Sequence, residues 1–162
     1  MKKLFHLTEE GVNEIKAELT RLIAARSIVA EAIKTAREFG DLAENAEYQV
    51  ARQEQERNES RIADIEHIIG NVEIIDTKAG GKSAGKVRLG SKVTLEGLEG
   101  SGNHVKSPKK FQVVGTVEAD PLEGKISDES PIGRALMGKK LGEEIEIKTP
   151  AETATYKIAA IS

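Results

Sequence analysis

In VNEIKAELTRLIAARSIVAEAIKTA, residues Val12–Ala36, apolar side chains recur at alternating three- and four-residue steps: Val12, Ile15, Leu19, Leu22, Val29, Ile33 and Ala36, with Arg26 as the one charged member. A second stripe runs through YQVARQEQERNESRIADIEHIIGNV, residues Tyr48–Val72, at Tyr48, Ala51, Gln55, Asn58, Ile62, Ile65, Ile69 and Val72. Both carry the seven-residue repeat of a coiled-coil seam. Folding the chain back at Leu42 pairs Ala36 with Tyr48, Ile33 with Ala51, Arg26 with Asn58, Leu22 with Ile62 and Leu19 with Ile65. The residue numbers in every pair sum to 84, so one antiparallel register satisfies both stripes. The same register sets Ile15 against Ile69 and Val12 against Val72. It also predicts a polar layer in which Arg26 lies against Asn58, with Glu59 as its charge partner. Few apolar residues remain off the seam, which predicts a projecting hairpin with arms of roughly 40 Å at ~1.5 Å per residue. Thr8 before Glu9, Glu10 and Gly11 reads as the start of the first helix, with acids near its positive end.

The two halves of the 162-residue chain differ in composition. Residues 1–76 hold ten Lys/Arg against sixteen Asp/Glu, three Gly and no Pro; residues 77–162 hold fourteen against eleven, with twelve Gly and all four Pro. The change falls at Thr77–Lys86 (TKAGGKSAGK), a linker composition. The expected organisation is therefore a coiled-coil domain over 1–76, a linker over 77–86 and a sheet domain over 87–162. In the second half, Ser91–Leu98, Phe111–Glu118, Glu143–Thr149 and Thr155–Ile161 read as strands. Ser130–Gly138 (SPIGRALMG) reads as a short helix with Pro131 in its first turn and Gly138 as its stop. The class is α+β: a helical hairpin followed by a small antiparallel sheet with one short helix.

Composition excludes several functions. The net charge of −3 gives no bulk basic excess for DNA. With no Cys there is no disulfide, thiolate chemistry or cysteine metal site. No apolar run approaches the roughly 20 residues of a membrane span, and the N-terminus does not read as a secretory signal, so a cytoplasmic protein is expected. Gly80–Lys86 (GGKSAGK) nearly matches a phosphate loop, but Val87 replaces the required Ser or Thr and a strand-like run follows. His6, His67 and His104 lack metal-ligand spacing. The second half offers only Phe111 and Tyr156 as aromatics, too few for an aromatic-lined pocket.

The turn between the arms carries the chemistry. Asp41 and Glu44 are three apart, the arrangement of a capping box in which Asp41 caps the second helix. They are equally a pair of carboxylates at the end of a rod. Two carboxylates cannot satisfy Mg²⁺, which takes about six oxygen ligands, so a partner would have to complete such a site. Arg37 and Arg52 lie near the same end, on opposite arms. They are either solvated helix surface or a small basic spot for nucleic-acid phosphate.

GDLAENAEYQVAR (Gly40–Arg52) resembles the tip and second-arm signature of bacterial transcript cleavage factors of the Gre family, and ISDESPIGRALMGKKLGEEIEIKTP (Ile126–Pro150) is similar to their C-terminal domain. The second arm matches the less basic branch of that family. The resemblance implies an antiparallel coiled coil joined to a domain of FKBP-like fold. It implies a transcription elongation factor, not itself an enzyme, whose hairpin enters the RNA polymerase secondary channel. There it would stimulate the polymerase's own cleavage of backtracked RNA and rescue arrested complexes. The catalytic residues would be Asp41 and Glu44, holding Mg²⁺ jointly with the polymerase and not tightly alone. Arg37 and Arg52 match positions that contact RNA, and Ser130, Pro131, Ile132 and Arg134 fall in the polymerase-docking segment. The implied partners are the elongation complex and the backtracked RNA 3′ end, with DNA touched only through that complex, no membrane, and a monomeric factor. A non-catalytic channel-binding regulator is the alternative, and an altered tip would favour it. A plain coiled-coil adaptor would show no effect of tip changes. The tip departs from the family pattern at Ala43, often Lys, and at Phe39, often His. The loop Glu99–Lys110 is longer than usual.

Overall fold

The computed structural model describes residues 3–41, 43–77, 85–98, 107–148, 150 and 153–162. Leu42, His104, most of the expected linker with its Gly80–Lys86 motif, and most of the Glu99–Lys110 loop lie outside the described residues. The described elements run β1 (Phe5–Thr8), α1 (Glu9–Glu38), α2 (Ala46–Ile69), β2 (Val72–Ile75), β3 (Lys92–Gly97), β4 (Lys109–Val114), a 3-10 turn (Pro121–Glu123), β5 (Lys125–Ser127), α3 (Pro131–Leu136), β6 (Glu144–Lys148) and β7 (Thr153–Ile161). The α+β expectation holds.

The chain forms two compact units, Val12–Asn71 and Met1–Gly11 with Val72–Ser162. The sequence led us to expect a division at 77–86. The difference arises because β1 pairs in parallel with β2, Phe5 opposite Val72 and Leu7 opposite Ile74, and joins the sheet unit. His6 faces Glu73 across this pair, 3.5 Å apart.

In the helical unit the cross-arm bonds follow the antiparallel register to within about one turn. Arg61 donates two bonds to Glu18 (2.7 and 3.0 Å), Asn58 Nδ2 donates to the Leu22 carbonyl (3.1 Å), and Asn45 Nδ2 donates to the Ala36 carbonyl (2.7 Å). Val29, Ile33 and Ala51 form a buried cluster with Tyr48 packed on it. Three details depart from the expected seam. Arg26 turns outward and grips Glu59 with two 2.7 Å bonds, leaving Asn58 as the buried polar member. Burying a carboxamide that bonds a carbonyl avoids the desolvation a guanidinium would suffer. Ile68, not Ile69, completes the buried set of α2, and Val72 lies on β2, because the helix stops at Gly70. Finally, Ile23, Ile28, Phe39 and Val50 are exposed off the seam, so more apolar surface remains there than the stripe implied.

Asn58→Leu is expected to raise the thermal stability of the hairpin by about 1 kcal/mol or more, since an apolar side chain then fills a buried seam position. Circular dichroism melts check this, and an unchanged or lower melting temperature would count against Asn58 as a seam residue. A pH effect is also expected. The Arg61 guanidinium, by hydrogen bonding, holds the Glu18 carboxyl below its ordinary value near 4.5, and Arg26 does the same for Glu59. A lowered folded-state value means the unfolded chain binds more protons. The stabilisation is therefore full above the ordinary value and is lost as pH falls through the lowered one. Glu18→Gln combined with Glu59→Gln should flatten the fall of melting temperature between roughly pH 6 and 3. An unaltered slope would show that these surface pairs add nothing.

The sheet unit has strand order β5-β4-β3-β7-β6. Neighbours β4–β3, β3–β7 and β7–β6 are antiparallel, but β4–β5 is parallel, so the sheet is mixed where an antiparallel one was expected. The cause is the reversal after Val114, which carries the chain through the 3-10 turn before β5 returns beside β4. Alternation in β6 and β7 turns Ile145, Ile147, Ala154, Tyr156 and Ile158 into a core with Val93, Leu95 and Val113, closed by Leu136 of α3. Phe111 packs against this core and Tyr156 is within it, which occupies both aromatics of the second half.

A buried carboxylate ties the first turn of α1 into this unit. Glu118 Oε2 accepts from the Thr8 N–H (2.8 Å), Oε1 accepts from the Thr8 hydroxyl, and Lys125 Nζ lies 3.8 Å away. Thr8 Oγ1 in turn accepts from the Gly11 N–H (3.0 Å), the helix-start role read from sequence. A Cβ at Gly11 would sit 2.5 Å from the Glu118 carboxyl carbon, so a side chain there must push the carboxylate away from its bonds to Thr8.

Candidate functional site

The turn between the arms begins where α1 ends. Phe39 N–H donates to the Ala36 carbonyl (3.2 Å), and Gly40 takes φ +104°, a left-handed conformation that favours glycine. Asp41 then forms a local turn, its Oδ1 accepting from the Ala43 N–H at 3.0 Å. The cap of α2 is not Asp41 but Asn45. Its Oδ1 accepts from the Tyr48 N–H (3.0 Å), while its Nδ2 donates to Ala36 at the end of the other arm. One carboxamide thus starts the second helix and closes the turn onto the first. Gln49 adds a bond to the Ala43 carbonyl (3.0 Å).

The capping-box reading of Asp41 and Glu44 is therefore replaced. Both acids precede the cap, and both are exposed. The pattern Asp-x-x-Glu imitates a capping box, but Asn45 immediately before Ala46-Glu47 is an equally good start signal, and it wins because it can also reach Ala36. Sequence reasoning missed Asn45 and Gln49 for this reason. Ala43, where the family often has Lys, contributes through its backbone N–H and carbonyl, so the change of side chain leaves the turn's bonds in place.

The expected RNA-contact residues flank this turn. The Arg37 guanidinium lies over the Tyr48 ring, 5.8 Å from its centroid. Arg52 donates to Gln55 Oε1 (2.6 Å). Both remain exposed, one on each arm. Among the described residues no group of three or more His, Cys, Asp or Glu side chains could hold a metal ion. Asp41 and Glu44 fit Mg²⁺ only as two hard oxygen donors of a larger set.

The expected docking segment lies in the other unit. Ser130 caps α3: its Oγ accepts from Gly133 N–H (3.0 Å) and donates to the Ser127 carbonyl (2.7 Å). Pro131 and Arg134 are exposed, whereas Ile132 packs against the sheet core. Ile132 is thus a core-facing member of the set, because the helix turns it toward the sheet. No described helix is long and apolar enough to cross a membrane.

A pair of helices presenting two exposed carboxylates at its turn, joined to a mixed-sheet unit with its own core, defines a class of two-unit α+β proteins. Residues 5–74 match the family described as transcription elongation factor, N-terminal, and residues 82–162 match transcription elongation factor, GreA/GreB, C-terminal. The chain belongs to the GreA/GreB transcription elongation factor family. It is 41% identical to transcription elongation factor GreA of Lactococcus lactis subsp. cremoris over 99% of both chains. It is 44% identical to GreA of Acholeplasma laidlawii over 99% of this chain and 98% of that one. It also aligns with the crystal structure of GreA factor homolog 1 (Gfh1) of Thermus thermophilus, at 29% identity over 99% of both chains and a TM-score of 0.43.

Proposed function

We propose that this protein is an accessory elongation factor that inserts its hairpin into the secondary channel of bacterial RNA polymerase. There it stimulates the polymerase's own cleavage of backtracked RNA and so rescues arrested complexes. The observation that carries this reading is the tip: Asn45 caps α2, so neither Asp41 nor Glu44 is needed to start the helix, and both carboxylates remain exposed at the turn.

Asp41 is oriented by the Ala43 N–H through one oxygen, which leaves the other to act as a ligand. Glu44 supplies a second carboxylate from the same turn. Together they would hold Mg²⁺ with carboxylates of the polymerase, and the ion would supply Lewis-acid stabilisation and an activated water. The chain itself positions the donors, through the closed turn, and adds positive charge from Arg37 and Arg52 for phosphates of the extruded RNA 3′ end. It acts as a monomer in the cytoplasm and meets DNA only through the elongation complex. Pro131 and Arg134, exposed on α3, dock on the rim of the channel, supported from below by Ile132 and by the Ser130 cap.

The test is incubation with a stalled elongation complex whose RNA 3′ end is extruded, scoring 5′-labelled RNA for shortening. The wild-type protein should shorten the RNA, and Pro131→Asp should require roughly tenfold more factor, about 1.4 kcal/mol of lost docking, for the same cleavage. No shortening by the wild type would reject the cleavage role. Equal potency of Pro131→Asp would move the docking site elsewhere.

A further inference from the structure

The distal half of the hairpin carries apolar surface that its seam does not use. Ile28 on α1, Phe39 just beyond its end and Val50 on α2 are 73%, 72% and 62% exposed, although the seam beneath them is already closed by Val29, Ile33 and Ala51. All three line one groove between the arms, about 860 Å³ in volume. Contiguous apolar surface of this kind marks a place where something docks. Ile28 and Ala36 line the groove eight positions apart on α1, and Phe39 follows the helix end, so the groove runs for more than two turns, roughly 12 Å along the helix. That length suits a third helix laid along the two arms, with anchors at i, i+3 or i+4, and i+7.

The rim of the groove selects the occupant. Glu31, Glu47 and Glu54 line it, and none of its lining residues is a lysine or arginine. Lys34, 3.8 Å from Glu31, offsets only one of these acids. A second copy of this chain would bring the same three carboxylates against their equivalents, and like charges across an interface oppose association. An anionic surface is disfavoured for the same reason. We infer that the groove is a docking site for an amphipathic helix of another protein, one that carries aliphatic anchors on its inner face and Lys or Arg along both flanks. The groove is distinct from the tip acids, but it lies on the half of the hairpin that the proposed function inserts into the channel, so a helix bound there would compete with insertion.

Two synthetic peptides of about 18 residues test the inference. One carries Leu at i, i+4, i+7 and i+11 with flanking Lys and Arg; the other keeps the leucines and replaces every basic residue by Glu. Each is labelled and titrated with the full chain by fluorescence anisotropy at near-physiological salt. The basic peptide should bind in the micromolar range, and the acidic one at least roughly tenfold more weakly. Ile28→Ser and Val50→Ser, both at exposed positions, should each weaken the basic peptide by roughly tenfold with unchanged melting curves. The inference is overturned if the basic peptide does not bind, if both peptides bind alike, or if the two serine variants bind as the wild type does. Dimerisation seen by sedimentation and lost in Val50→Ser would assign the groove to a second copy and overturn it too. Binding of an apolar dye that the basic peptide cannot displace would assign the groove to a small molecule instead, with the same consequence.

Discussion

Asp41→Ala and Glu44→Ala are each expected to nearly abolish factor-stimulated RNA cleavage while polymerase binding persists. Both side chains are exposed in the turn, and neither caps a helix, so truncation should leave the hairpin folded. Loss of a capping interaction would lower helix stability by only about 1 kcal/mol, and here that interaction belongs to Asn45. Asp41→Asn separates charge from shape. The Asn oxygen can still accept the Ala43 N–H that Asp41 Oδ1 accepts now, so the turn is kept. The negative charge that attracts Mg²⁺ is gone. Cleavage by Asp41→Asn should therefore fall at least roughly tenfold at limiting Mg²⁺ and recover in part as Mg²⁺ is raised. Wild-type cleavage at limiting Mg²⁺ would mean that Asp41 acts only through its turn. Asn45→Ala provides the converse control: it removes the cap and the bond to Ala36, so it should lower the melting temperature of the hairpin and keep both acids.

Gly133→Ala is expected to be strongly destabilising in the sheet unit. Gly133 lies in α3, where an added Cβ would fall 2.0 Å from the Ser127 carbonyl oxygen and 2.9 Å from the Asp128 Cα. Both are backbone atoms that cannot swing aside. Relieving the overlap must move α3 off the sheet, at a cost of about 3 kcal/mol, or a melting temperature lower by more than roughly 10 °C. Gly138→Ala is the comparison. Gly138 has φ +76° but nothing within 4 Å of the added Cβ, so it should lose only the ~1–2 kcal/mol of a left-handed alanine. A scanning melt of both variants decides the order. If Gly138→Ala were the worse, close approach of α3 to β5 would not govern this segment. Because α3 carries Pro131 and Arg134, Gly133→Ala should also weaken polymerase docking with the tip acids untouched.

The helical unit was legible because its information is local. A seven-residue repeat in each arm states helix, face and length, and a single register joins the two stripes. The strands β3, β4, β6 and β7 were legible for the same reason, from alternation bounded by turn residues. At the candidate site, the sequence placed Asp41, Glu44, Arg37 and Arg52 around one turn. It misassigned the cap because Asp41-x-x-Glu44 and Asn45 both satisfy the local rule. Choosing between them depends on the Ala36 carbonyl, which only the returning arm brings within reach of Asn45. Arg26 went the same way: the repeat put it in the seam, and the cost of desolvating a guanidinium turned it out toward Glu59.

The sequence by itself determined two paired helices, a following sheet and an acid-bearing turn, since periodicity and turn chemistry are properties of neighbouring residues. Only the tertiary structure decided what depends on residues far apart in the chain. Phe5–Thr8 and Val72–Ile75 are too short to announce themselves as strands, and they pair across the whole hairpin. Glu118 becomes the anchor of the first turn of α1 only because β1 brings Thr8 to it, and a side chain at Gly11 is opposed only because that carboxylate is there. Gly133 reads as a weak helix residue until Ser127 is found against it. In each case the deciding contact lies beyond the reach of a local pattern. Burial and close approach set it, and both exist only once the chain has folded.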